Sequence, residues 1–241
     1  MDGVTRSCGL MLAAATTVLL AACGSAESPA PAAPELPPFG PATAAKPVTV
    51  PPITDADRLQ DRLLTSTNLP PDFTALPARV DPPATAQAAP TDPAECAKVL
   101  TPLGAQRPGS LAKASVQYTG PNFSSIDIDA ASYPNDAVAP AFSELQARVR
   151  GCAHYSGTDA TDIKIDYRVG GLAAPAVGDA AAAFQVRTTS EGLTLQSSVA
   201  IVQVGSTLTQ VAVTAPESVD IQVLNELAAA QVRRLQGVSG P

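Results

Sequence analysis

Apolar positions recur along this chain with two different periods, and the switches between them outline its elements. Thr161 to Val169 alternates strictly, with Ile163, Ile165, Tyr167 and Val169 on one face and Lys164, Asp166 and Arg168 on the other. That predicts a strand, ended by Gly170-Gly171. Ser115 to Thr119 and Phe123 to Tyr133 alternate in the same way around Gly120-Pro121-Asn122 and predict a hairpin. Its Ile126, Ile128 and Ala130 face inward, while Ser125, Asp127 and Asp129 face solvent. After a loop from Pro175 to Asp179, Phe184 and Val186 alternate with Gln185 and Arg187 in a strand over 181–189. Glu191-Gly192 turns into Leu193 to Val204, whose Val199-Ala200-Ile201-Val202 is apolar on both faces and so predicts a central place in a sheet. Gly205-Ser206 suits a two-residue hairpin turn into Leu208 to Val213.

Other stretches carry the helical period. Thr54-Asp55-Ala56-Asp57 has the form of a capping box ahead of Leu59, Leu63 and Leu64, predicting a helix over 55–65 that stops before Leu69-Pro70-Pro71. Pro134-Asn135-Asp136 should cap a second helix, striped by Val138, Phe142, Leu145 and Val149 and ended by Gly151. A second box, Thr214-Ala215-Pro216-Glu217, should open a last helix striped by Ile221, Leu224, Ala228, Val232 and Leu235. Glu95 to Leu103 reads as a helical turn, and 78–94, rich in Pro, Ala, Thr and Asp, as an exposed loop. Strands joined by hairpins, with helices before, between and after them, predict an α+β fold: an antiparallel sheet covered by helices on one face.

The N-terminal fifty residues fit neither period. Met1 to Ala22 carries Arg6, an apolar run from Leu10 to Leu20 and small residues before Cys23, the layout of a secretory signal peptide over 1–22. The run is shorter than the ~20 apolar residues that a spanning helix needs. Leu20-Ala21-Ala22-Cys23 followed by Gly24-Ser25 resembles the bacterial lipobox, which makes Cys23 the expected lipidation site and a lipid anchor the route to the cell membrane. Nine prolines between Gly24 and Ile53 predict a semi-rigid linker over 23–53, with the folded domain over 54–238.

With Cys8 in the leader and Cys23 lipidated, Cys96 and Cys152 are the remaining pair of the four cysteines, and an oxidising compartment predicts a disulfide between them. Catalytic redox work is disfavoured by their separation of 56 positions, since reactive pairs favour Cys-x-x-Cys. Cys152 with His154, the single histidine, makes no metal site without a second cluster. Asp127 and Asp129 form a possible carboxylate pair for acid-base work or calcium, but alternation assigns them to a solvated face. His154 alone supports no serine-histidine triad, and no nucleophile-elbow or phosphate-loop motif occurs. No catalytic residue, metal or cofactor is therefore expected. A net charge of -7 excludes nucleic acid as a natural partner, because such binding rests on lysine and arginine neutralising phosphates.

The order of landmarks is distinctive: the lipobox, the Pro/Ala linker, Leu69-Pro70-Pro71-Asp72-Phe73, Pro93-Ala94-Glu95-Cys96, the helix ending at Cys152, the Pro175 to Asp179 loop, the Val202 to Gly205 hairpin and an Ala-rich last helix. In this layout the chain resembles actinobacterial, chiefly mycobacterial, cell-envelope lipoproteins that are similar to the extracellular sensor domain of the PknH-type serine/threonine kinases. That resemblance implies an extracytoplasmic binding or sensor-like domain without catalysis, for a small molecule, glycan or lipid of the envelope. The kinase sensor domain carries two disulfides and this chain has cysteines for one, so no binding residue carries over. The other class open to the sequence is an interaction protein that docks a partner protein at the envelope.

Overall fold

The computed structural model describes residues 35–77, 90–216 and 218–238. The leader, Cys23 and the first part of the linker lie outside them. Nine strands form one wholly antiparallel sheet: β1 (Thr74–Ala75), β2 (Thr91–Asp92), β3 (Ala112–Thr119), β4 (Ser125–Ser132), β5 (His154–Thr158), β6 (Lys164–Leu172), β7 (Ala180–Ser190), β8 (Leu193–Val204) and β9 (Thr207–Ala215). Their order across the sheet is β1-β3-β4-β9-β8-β7-β6-β5-β2, which makes β9 and β8 central, as the two-sided apolar run at 199–202 requires. Four α-helices accompany them, α1 (Ala56–Gln60), α2 (Leu103–Gln106), α3 (Val138–Gly151) and α4 (Ile221–Leu235), with 3-10 turns at 66–68 and 94–98.

Strand alternation divides the core in two. Val199, Ile201, Leu208, Phe184 and Val186 pack with the α3 stripe Phe142, Leu145 and Val149. Ala200, Val202, Val211, Ile126 and Ile128 pack with Leu224, Ala228 and Val232 of α4 and with Leu59 of α1. Neighbouring strand residues point to opposite faces, so the helices cover both faces and not one. Hydrophobic pattern shows that a strand has two buried faces only where both are apolar in sequence, and here that holds over the few residues at 199–202.

Local chemistry departs from expectation at several ends. Asp220, whose carboxylate accepts from Gln222 N at 2.9 Å, caps α4, because Thr214 and Ala215 are spent on β9. Ala137 occupies the cap of α3 and makes no side-chain bond there, so Asn135 and Asp136 do not cap it. Gly170-Gly171 does not end β6, which runs on to Leu172 paired with β7. The Cys96–Cys152 disulfide joins the 94–98 turn to the C-terminal end of α3, as the cysteine count predicts.

The largest departure concerns residues 35–53. The compact unit begins at Glu35, and this stretch lies on the domain as an extended strap instead of standing off as a spacer. β5 pairs with β6 as far as Arg168, and the Val169 amide bonds to Ala153 O; beyond that the strap takes the vacated edge, with Gly171 N donating to Pro37 O at 2.7 Å. A Cβ on Gly170 would meet Leu36 and lie 2.8 Å from Pro37 O, and one on Gly171 would meet Pro38 O and lie 2.9 Å from Phe39 Cα. The glycine pair is therefore a cradle for the strap. Phe39, Ala45 and Val48 pack against the α3-side core, and Arg150 stands over the Phe39 ring at 5.3 Å.

Buried glutamines grip this N-terminal segment. The Gln146 amide on α3 accepts from Thr43 N and donates to Thr43 O, both at 2.8 Å. Gln203 on β8, with no exposed surface, does the same for Lys46 at 2.8 and 2.9 Å. Gln231 on α4, equally buried, accepts from Leu64 N at 3.0 Å and donates to Arg62 O at 3.2 Å.

Candidate functional site

The register fixes two ends of the sheet. Ser125 and Ser197 both lie level with Thr214, so β4 and β8 begin at the same end, beside the turns of the β3–β4 and β7–β8 hairpins. Ser132 lies level with Thr207 at the other end, where the β8–β9 turn and residues 50–53 of the strap are found. α3 covers the middle of one face, and toward the hairpin end that face opens into a groove of about 570 Å³.

Four strands supply the floor of the groove: Gln117 from β3, Asp127 and Asp129 from β4, Gln210 from β9 and Ser197 from β8. Leu76 and Pro77, just after β1, and Leu100 and Pro102, just before α2, supply apolar walls. Leu76 and Leu100 are 39% and 43% exposed, unusually open for leucine, because they border this space. Two acids and several amides and hydroxyls beneath aliphatic walls suit a ligand that presents hydrogen-bond donors and an aliphatic body. Among the described residues no lysine, arginine or histidine lines it.

Asp129 is 5% exposed and not on a wet face. One carboxylate oxygen accepts from Leu103 N at 2.7 Å, at the start of α2, and the other from Gln210 Nε2 at 3.2 Å. Residues 99–106 fold across the end of the face that alternation alone assigns to water, and Asp129 holds them there. Asp127 is half-buried and accepts from Ser125 Oγ at 3.0 Å. The pair shares a face and the groove, but the Asp129 carboxylate is committed to holding the turn. Gln117, Ser197 and Gln210 were not singled out by sequence pattern. The signal for Gln210 is a glutamine inside the apolar run Leu208 to Val213.

His154 lies on the first residue of β5 and faces the opposite side of the sheet from its neighbour Tyr155, which stacks on Tyr167 at 4.5 Å in the α3-side core. Its Nε2 is 2.7 Å from Asp166 Oδ2, and Arg168 Nε donates to Asp166 Oδ1 at 3.1 Å. Burial pushes the Asp166 carboxyl up, yet the hydrogen bonds and charges of His154 and Arg168 outweigh it and hold the group below the ordinary carboxylate value. All three are about half exposed, which makes this a surface ion-pair triad. Among the described residues no group of three or more His, Cys, Asp or Glu could hold a metal ion.

No protein-family model matches the chain, and no curated protein does. Among solved structures, the extracellular domain of PknH from Mycobacterium tuberculosis superposes with a TM-score of 0.58 at 15% identity, over 78% of this chain and 98% of that domain. The fold is that of the PknH extracellular domain. An uncharacterized Mycobacterium smegmatis protein, an ortholog of Rv0999, matches at 15% identity over 75% of this chain and 96% of its own, with a TM-score of 0.39 that carries no further argument. The PknH domain thus supports the architecture expected from the order of landmarks, and at this identity it says nothing of individual groove residues. Among the described residues no helix is long and apolar enough to cross a membrane.

Proposed function

We propose that this chain is an extracytoplasmic, non-catalytic binding or sensing lipoprotein, anchored to the cell membrane through Cys23, with the groove as its recognition surface. The observation that carries the reading is the groove itself, a cleft of about 570 Å³ with acids, amides and hydroxyls beneath aliphatic walls. It opens at the hairpin end of the sheet, with the acids Asp127 and Asp129 in its floor and Leu76, Pro77, Leu100 and Pro102 as its walls. The PknH fold supports an extracellular setting.

Two measurements test the parts separately. Mass analysis of the protein from its own envelope should find acyl chains on Cys23, and Cys23→Ser should release it to the soluble fraction; cleavage elsewhere overturns the anchor. Native mass spectrometry should find a small molecule bound to the wild type and lost from Ser115→Trp, which fills the groove from its β3 side. An empty wild type, or a ligand retained by Ser115→Trp, overturns the groove as recognition surface.

A second reading, docking of a partner protein, is favoured by Phe123 and Leu193. They are 88% and 76% exposed at the two hairpin turns of the groove end, and Phe123 sits at a φ of 58°, which is costly for a bulky residue. If a protein is the ligand, cross-linking in the envelope captures it with the wild type and not with the double variant Phe123→Ser, Leu193→Ser.

A further inference from the structure

The end of the sheet opposite the groove holds a second cavity, of about 600 Å³, with the reverse electrostatics. Its apolar wall is the strap itself, Val50 to Ile53, and its base is the β8–β9 turn at Gly205-Ser206. Arg58 and Arg62, one turn apart on and just after α1, reach it from the side.

Three features make the cavity attractive to an anion. The Arg62 guanidinium donates to Leu235 O, which covers one of the carbonyls that would otherwise make the C-terminal end of α4 repel a negative charge. Arg58 has a guanidinium with no acceptor among the described residues, since its one bond to Asp55 is made by the backbone amide. Asp179, the acid that lines the cavity, turns its carboxylate to Gly205 N at 2.6 Å. Two arginines of a chain with net charge -7 thus line one cavity, and Arg233 and Arg234 stand in the last turn of α4 just before its lining residues Leu235 and Gln236. An arginine fork matches the oxygens of a phosphate better than any neutral ligand, and the prolines, valine and isoleucine beside it suit a lipophilic body.

We propose that this cavity is an anion site for a phosphate group, taken from a lipid headgroup or from free phosphate, with Arg58 as its principal ligand. The geometry stands apart from the groove and from the assignment of Cys23. Because the strap forms a wall, occupancy of the site also braces residues 50–53.

The test uses the full chain carrying Cys23→Ser, which removes any acyl chain of its own. Calorimetric titrations are run with inorganic phosphate, with dihexanoyl phosphatidylglycerol below its micelle concentration, and with dihexanoyl phosphatidylcholine as the zwitterionic control. Saturable binding of phosphatidylglycerol well above that of inorganic phosphate assigns a headgroup, and comparable binding of the two assigns the free anion. In either case Arg58→Gln weakens binding by about tenfold or more while Lys164→Gln, far off on β6, does not. Hydrogen exchange at the Val50 and Ile53 amides, the two that this proline-containing wall has, should also slow when ligand is present. Failure of phosphate and phosphatidylglycerol to saturate overturns the proposal. So does Arg58→Gln binding as the wild type, or phosphatidylcholine binding as well as phosphatidylglycerol.

Discussion

Gln203→Met is the sharpest probe of how the strap is held. Methionine matches glutamine in length and volume, so the fully buried site keeps its packing and loses only its polar atoms. Those atoms make three bonds: from Lys46 N at 2.8 Å, to Lys46 O at 2.9 Å and to Gly205 O at 3.1 Å. At about 0.5–1.5 kcal/mol net for each bond, the loss would lie between about 1.5 and 4.5 kcal/mol if nothing relaxed. Lys46 is exposed, however, so its backbone can turn to water once the clamp is gone, and the lower half of that range is expected. Urea denaturation should show a loss of about 2 kcal/mol with an unchanged m value. Hydrogen exchange should rise over 43–50 and stay level over 59–64, which Gln231 holds independently. A loss below about 0.5 kcal/mol with protection over 43–50 intact would refute the clamp.

Other consequences can be checked in the same way. In Gly171→Ala, an unstrained site would gain about 0.5–1 kcal/mol over glycine in a strand, but the new Cβ would lie 2.9 Å from Phe39 Cα and closer still to Pro38 O. Thermal melting should therefore show destabilisation, and a raised Tm would remove the strap from this edge. The double variant Cys96→Ser, Cys152→Ser opens a bridge spanning 56 positions and should lose about 4 kcal/mol on the loop-entropy model, read by denaturant midpoint; an unchanged midpoint would make the bridge dispensable. All four tyrosines have raised pKa values, chiefly through burial, with Tyr133 pushed up to about 12. A raised tyrosine adds stability that is complete below its unfolded value near 10 and is lost as pH climbs toward the folded one, so stability should fall between about pH 10 and 12. Absorbance of tyrosinate should lag behind free tyrosine and rise with unfolding; early ionisation without unfolding would contradict the burial.

Alternation and stripes made the sheet, its hairpins and α3 and α4 legible, because each is a matter of which residues avoid water. What lies on top of a face is a different question, and pattern does not answer it. Asp129 alternates like a wet residue and is buried, because residues 99–106 close over it. Gly170-Gly171 has the composition of a strand end, yet it continues a strand whose neighbour is the chain's own N-terminal segment. β5 went unseen because His154 to Thr158 offers one large apolar residue, Tyr155, whose partner Tyr167 is twelve residues away. The groove was equally hidden, since it is made where four strands run beyond the reach of α3.

The strap has a sequence reason for being held by side chains. Pro37, Pro38, Pro41, Pro47, Pro51 and Pro52 lack amide protons, so this segment cannot supply a regular ladder of donors to a sheet edge. Composition of this kind reads as a free linker because it rules out a strand. A point clamp asks for less: a single residue with both an N–H and a C=O to offer. Thr43 and Lys46 are such residues, set between Pro41 and Pro47, and each meets a primary amide that supplies one donor and one acceptor. Glutamine is the side chain that offers this pair of groups on a reach long enough to leave a helix stripe or a strand. Gln146, on the α3 stripe between Phe142 and Val149, and Gln203, between Val202 and Val204 in β8, are buried at a desolvation cost that leaves them stable only if both groups are satisfied. A buried glutamine inside an apolar stripe and a proline-rich stretch elsewhere in the chain are thus two halves of one device, and the domain extends about twenty residues further toward the N-terminus than its periodic elements suggest.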